Sequence, residues 1–389
     1  MAAMKPGRAE RNTRIDAVRA VMLTIVITMN MLVLSGLAYM SPEARADTLG
    51  AIDRAAWDFL SLFFDGKALA AFSFLFGLGF GMILSRAGPG RGSPFVQIIR
   101  RSLVLGAIGA FNVIFLFWAD ILMTYAAMGL VLPLAAQLPQ RVTIGLGAAL
   151  ILAGPAVLAL SGIDPPMPVP EGRDDSLQSF ASPNYADTVS QNLNMVAGTA
   201  GGVNGTLVLR LFMLSGLFLL GLAAGSSGLL SRLRALRAIM LRAGAVSLAL
   251  GLCAATALRL IDAPHGVWWL LYLDTPLMAL GYLMLLTAAL HGERDRWVHS
   301  LMAPLGRMSL TGYLGASMLG QVLFYGWGFQ LIGQIGTLAV VTISVAIAML
   351  LTAFAHFWFR HFAFGPWEWL WRSLTQLRLQ PMIGRGVQG

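Results

Sequence analysis

Asp65, Lys67, Asp120, Arg210, Arg259 and Asp274 are the residues of this chain whose types and positions best suit chemistry. Each stands in or beside an apolar stretch, where an ionisable group is costly and normally faces a cavity or a partner. All six fall near the same ends of their stretches, so converging helices would gather them into one polar vestibule. Lys67, Arg210, Arg259 and Asp274 would then meet a polar or anionic substrate. Asp120 or Asp274 has the chemistry of a general base. The other reading is a set of interfacial ion pairs that anchor helix ends. Lysine is scarce here, two residues against twenty-five arginines, which sets Lys67 apart. Asn30 lies mid-stretch, and its amide could hydrogen-bond a substrate carbonyl or join two helices. Asn112 reads as a helix-joining amide. His265 is the histidine available as a base on the vestibule side. Arg100, Arg101 and Arg307 stand at the opposite ends, where guanidinium groups would bind phosphate, of a ligand or of lipid. The remaining histidines form no i,i+4 pair, and no metal motif is present.

The elements that must position these groups are membrane helices. Apolar residues make up 57% of the 389 and charged residues only 12%, where a soluble domain carries about 25%. Mean hydropathy is +0.72. A soluble enzyme and a disordered chain are both excluded, because so little charge could not cover a globular surface. A bilayer core needs about 20 apolar residues per helix. Ten stretches approach that: 20–37, 68–84, 103–118, 121–137, 142–161, 207–226, 243–261, 267–290, 305–325 and 331–358. The fold class is therefore all-α, a polytopic protein with about ten transmembrane helices in one membrane domain, 1–389.

With the N-terminus cytoplasmic, 21 of the 27 cations lie on the inner side, a strong positive-inside signal that also places the C-terminus inside. The net charge of +9 is thus an orientation device facing the lipid bilayer and its anionic headgroups, not a nucleic-acid surface. Residues 1–17 form a basic cytoplasmic end, and 359–389 an amphipathic cytoplasmic tail whose Trp367, Trp369, Trp371 and Arg372 read as an interfacial belt. Glu368 would pair there with an arginine. Two outer segments exceed the usual loop length: 41–67, whose aromatic second half suggests an interfacial helix, and 162–206, with room for a short helix over 179–197. The start of the chain reads as an uncleaved first helix, not a signal peptide. Gly77 and Gly81 share one helix face, which suits close helix packing or close approach to a ligand. Cys253 is the single cysteine, so an intramolecular disulfide is excluded.

Six blocks, in order, carry a resemblance. They are Asp16-Ala17-Val18-Arg19 with Asn30 following, Asp65-Gly66-Lys67 with Phe72 to Gly79, and Arg100-Arg101. After these come Asp120 to Tyr125, Gly306 to Tyr313, and Gly365 to Arg372. Together they resemble the YeiB-like family of bacterial inner-membrane proteins, a domain of unknown function, over nearly the whole chain. That family is similar in fold to membrane acyltransferases of the heparan glucosaminide N-acetyltransferase type. The resemblance implies a multi-pass inner-membrane protein and an acyl group taken from cytoplasmic acyl-CoA to an envelope or secreted acceptor. It makes Asn30 the match for an asparagine in the first helix. With such a donor, the phosphate that Arg100, Arg101 and Arg307 could bind would be that of acyl-CoA, lipid phosphate being the alternative. The stretch 31–71 has no histidine where those enzymes carry one. An exporter or transporter of a small polar or anionic molecule is the other function class that ten spans and intramembrane charges allow. Oligomeric state is not legible.

Overall fold

The computed structural model describes residues 9–85, 93–161, 173–200, 205–261, 265–290 and 296–383. The first half of these is built from α1 (Ala9–Leu34), α2 (Pro42–Thr48), α3 (Ala51–Phe63), α4 (Lys67–Ser85) and α5 (Pro94–Phe111). Next come a π-helical turn at Asn112–Leu116, α6 (Leu122–Ala135), α7 (Gln140–Ser161), α8 (Arg173–Phe180) and α9 (Tyr185–Ala200). The second half contains α10 (Gly205–Ser226), α11 (Arg237–Leu260), α12 (His265–Leu271), α13 (Asp274–Ala289) and α14 (Arg296–Arg307). It ends with α15 (Ser309–Phe324), α16 (Thr337–Trp358) and α17 (Pro366–Gln376). Among the described residues the only β-type pairing is an isolated bridge, Phe362 to Ile383. The fold is all-α, as the composition requires.

Eight helical stretches among the described residues are long and apolar enough to cross a membrane. The chain is a multi-pass membrane protein by that measure. The other two of the ten expected spans are shorter. Helix α6 has 14 residues, because the preceding apolar residues form the turn out of the π-helical segment. The stretch 305–325 is broken at Met308 into α14 and the 16-residue α15. The break has a local cause. The carboxylate of Glu368 accepts the backbone N–H groups of Leu310 (2.7 Å) and Thr311 (3.1 Å) and the Thr311 hydroxyl (2.6 Å). It thereby caps a new helix start. The stretch 331–358 is also trimmed. Gly333 adopts φ +70°, and the helix begins at Thr337 after Gly336. Asp53 of α3 caps this start, accepting the Leu338 N–H at 2.8 Å.

Helix α1 packs on α4, α14, α15 and α16, and most of α15 is buried. The tightest crossing is α4 on α10. A Cβ on Gly77 or Gly81 would collide with the backbone of Phe218 or Leu222, and one on Gly221 or Gly225 with that of Phe74 or Leu78. Gly77 and Gly81 are therefore packing glycines.

The segment 41–67 folds as α2 and α3, and α3 joins α4 through a turn in which Gly66 takes φ +73°. The 162–206 segment carries two helices, α8 and α9. From α9, Asn192 donates to the Ile114 carbonyl (3.2 Å) and Tyr185 to that of Phe115 (2.6 Å). Gln321 of α15 donates to the Leu116 carbonyl (2.5 Å). Three side chains thus take carbonyls that the π-helical turn leaves free.

Candidate functional site

Two cavities hold the chain's unusual charges. The first, about 590 Å³, opens at the end where α1 starts and is bounded by α1, α4, α5, the α14–α15 break and α17. Four arginines line it: Arg19, Arg101, Arg307 and Arg372. Arg19 is tied to Asp16 at 3.1 Å. The other three sit over aromatic rings. Arg101 stacks 3.6 Å from the Trp371 centroid, Arg307 4.1 Å from Phe359 and Arg372 4.8 Å from Phe364. The Trp371 indole donates to the Arg101 carbonyl at 2.8 Å, which fixes the stacking partner.

A guanidinium held over a ring can keep N–H groups for hydrogen bonds, and such a group suits phosphate. Glu368 is engaged in capping α15, so it does not occupy these edges. Burial pushes its carboxyl above the usual range, against the hydrogen bonds from Thr311 and Leu310. Burial lowers the Arg372 guanidinium, opposed by Glu368 and reinforced by Arg307. The remaining wall is apolar, with Phe72, Leu75, Phe76, Phe80, Met82 and Ile83 of α4. An anionic head with an apolar extension fits such a space.

The second cavity, about 540 Å³, lies at the other end of α4. It is lined by Ser61, Asp65, Lys67, Arg210, Arg259, Trp268, Tyr272, Asp274 and Thr275, among others. Five of the six residues expected to form a vestibule therefore meet. Lys67 is not available to a ligand as sequence alone would have it. Its ammonium pairs with Asp274 at 2.9 Å, and both side chains are about 95% buried. The other Asp274 oxygen accepts the Thr275 hydroxyl at 2.9 Å, so Asp274 is not a free base. Arg259 donates to Ser61 Oγ (3.1 Å) and to the Ala255 carbonyl (2.9 Å).

Asp120, the sixth, lines neither cavity. It is drawn inward by Asn112 Nδ2 (2.7 Å), the Met123 N–H (2.9 Å) and the Tyr313 hydroxyl (3.3 Å). Asn112 is thus an orienting partner of a carboxylate. Burial pushes the Asp120 carboxyl up to about 6, against the hydrogen bonds from Met123 and Asn112. A folded-state value above the unfolded one means the native protein takes up the proton first. Stability should therefore rise as pH falls from about 6 toward 3.8. Thermal unfolding in detergent across this window, compared with Asp120→Asn, measures it. The variant should lose this part of the rise, and identical pH profiles would disprove the assignment.

Asn30 is half-buried in α1 and borders neither cavity. Arg100 is exposed and outside the first cavity, because adjacent residues on a helix point about 100° apart. His265 opens α12, but its side chain lies outside the described residues. Sequence reasoning did not assign Asp16, Arg19 and Arg372 to the site. Their signal was membership of the blocks at 16–19 and 365–372. Five of the six blocks contribute residues to the first cavity. The sixth reaches it through Phe76, whose ring lies 4.8 Å from that of Tyr125.

The chain is 31% identical, over 396 residues, to "Uncharacterized protein YeiB" of Escherichia coli K12, covering 97% of this chain and 99% of that protein. The chain belongs to the YeiB-like family. "Uncharacterized protein YxaH" of Bacillus subtilis 168 is 29% identical over 85% of this chain and 84% of its own. An "Uncharacterized 39.9 kDa protein in amylase 3'region" of Bacillus acidopullulyticus is 24% identical over 96% of both. A family model described as protein of unknown function (DUF418) matches residues 222–378. The YeiB-like match takes in both cavities from end to end. The family model covers α11 to α17, and with them Arg307, Glu368 and Arg372 of the first cavity.

Proposed function

We propose that the protein is a transmembrane acyltransferase of the bacterial inner membrane. In this reading the arginine-lined cavity faces the cytoplasm and receives acyl-CoA, and the second cavity faces outward and receives the acceptor. The observation that carries it is the approach of the two cavities along α4. Leu69 borders the second cavity and Phe72 the first. Three residues of helix rise about 4.5 Å, so the linings of the two cavities come within one turn of each other along α4. The stacked Arg101, Arg307 and Arg372 suit the donor's phosphates, and the apolar α4 wall suits its acyl chain. The side assignment agrees with the distribution of cations along the sequence. Arg100 has no part in this reading.

The test is equilibrium binding of labelled acetyl-CoA to the purified protein in neutral detergent, followed by transfer or hydrolysis of the label. Binding is expected, and Arg101→Ala should weaken it by about 10–100-fold, the effect of losing one charge-assisted hydrogen-bonded group. Arg307→Ala, whose side chain is exposed, gives the same test without risk to the α17 contact. Absence of binding to the wild type would sink the proposal. The same pair of opposed cavities also suits a transporter. Substrate flux in proteoliposomes without acyl-CoA binding would favour that reading.

A further inference from the structure

The second cavity carries more charge than its buried ion pair uses. Lys67 and Asp274 neutralise one another. That leaves Asp65, Arg210 and Arg259, all exposed to the cavity. Among the described residues none of the three forms an ion pair. Arg259 is aimed by Ser61 and the Ala255 carbonyl, and a guanidinium with five N–H donors retains others for a ligand. Asp65, Arg210, Arg259 and Tyr272 line the same cavity. In it, the Trp268 and Tyr272 rings lie 4.7 Å apart.

These free groups constrain the ligand's charge. A simple cation would meet two arginines. A simple anion would leave the Asp65 carboxylate without a partner in the same small space. A molecule with an anionic end and an ammonium satisfies both. A phosphate, as monoester or diester, offers tetrahedral oxygens to two guanidinium groups at once and matches the arginine pair better than a carboxylate does. The aromatic pair beside Asp65 adds a cation-π surface for the ammonium.

We propose that this cavity binds a zwitterionic amine-bearing phosphate of the phosphoethanolamine type, its phosphate on Arg210 and Arg259 and its ammonium between Asp65 and the Trp268–Tyr272 pair. This names the acceptor-side ligand and so rests on the outward cavity of the proposed function. Binding to this cavity is nevertheless measurable without any acyl donor or turnover.

The experiment is titration calorimetry on the full chain in neutral detergent, with O-phosphoethanolamine, inorganic phosphate and ethanolamine as separate probes. O-phosphoethanolamine should bind at least about tenfold more tightly than either single-charge probe. Asp65→Asn should remove the advantage over phosphate. Arg210→Gln with Arg259→Gln should abolish binding of both phosphate probes. All three residues are exposed, so the variants should keep wild-type elution and melting profiles. Short-chain phosphatidylethanolamine added to the micelles separates the two sources of this chemistry. Competition identifies a lipid headgroup and lack of competition a free solute, and both support the site. Equal affinity for phosphate and O-phosphoethanolamine, an unaffected Asp65→Asn, or no binding at all overturns it. Failure here with intact acetyl-CoA binding would reject the ligand class alone. Failure of acetyl-CoA binding would reject the acyltransferase reading.

Discussion

Lys67→Ala is expected to destabilise the protein by about 3–5 kcal/mol, the usual cost of stranding one partner of a buried ion pair. The ammonium lies 2.9 Å from the Asp274 carboxylate, and both side chains are almost wholly buried. Removing it leaves an uncompensated charge at the first turn of α13, held by the Thr275 hydroxyl alone. Asp274→Ala should cost a similar amount for the mirror reason. The double variant Lys67→Met with Asp274→Leu should recover most of the loss, because two apolar side chains of similar size impose no charge burial. Denaturant unfolding of the wild type, the two alanine variants and this double variant in one detergent makes the comparison. A double variant no more stable than either single would show that the pair is not coupled as its geometry implies. Since Lys67 opens α4 and forms part of the floor of the second cavity, the single variants should also weaken O-phosphoethanolamine binding there.

Gly221→Val is expected to cost about 3 kcal/mol or more and to impair both cavities at once. A Cβ at this position would overlap the Phe74 carbonyl of α4, and backbone cannot move aside as a flexible side chain can. Helix α4 supplies a wall of each cavity, so pushing it off α10 should reduce acetyl-CoA and O-phosphoethanolamine binding together. Gly145→Ala provides the contrast. Nothing lies within 4 Å of its added Cβ, and alanine is the better helix former by about 1 kcal/mol. That variant should melt at or slightly above the wild type. A neutral Gly221→Val would mean that α4 and α10 are not in backbone contact.

What was legible in the sequence followed from properties that do not depend on which helices touch. Low charge and long apolar runs require membrane helices, because no other surface could be satisfied. Depth along a helix is also readable. Asp65, Lys67, Arg210, Arg259 and Asp274 share a level in the chain's apolar stretches, and they share a cavity. Rotation about the helix axis is not fixed by depth, which is why Arg100 points away while Arg101 stacks on Trp371. Pairing is less legible still. Lys67 looked like a ligand for anions until the fold set it against Asp274, more than 200 residues away. Asp120 shares the depth of the vestibule, but Asn112, Met123 and Tyr313 turn it elsewhere. Glu368, in what reads as an interfacial tail, is the cap that divides 305–325 into two helices. Solvent, fold class and the level of each charge are legible from the residues alone, because they follow from transfer free energy residue by residue. Which charges cancel and which stay free depends on how the helices pack, because hydrogen bonds and ion pairs act over a few ångströms between helices remote in the chain.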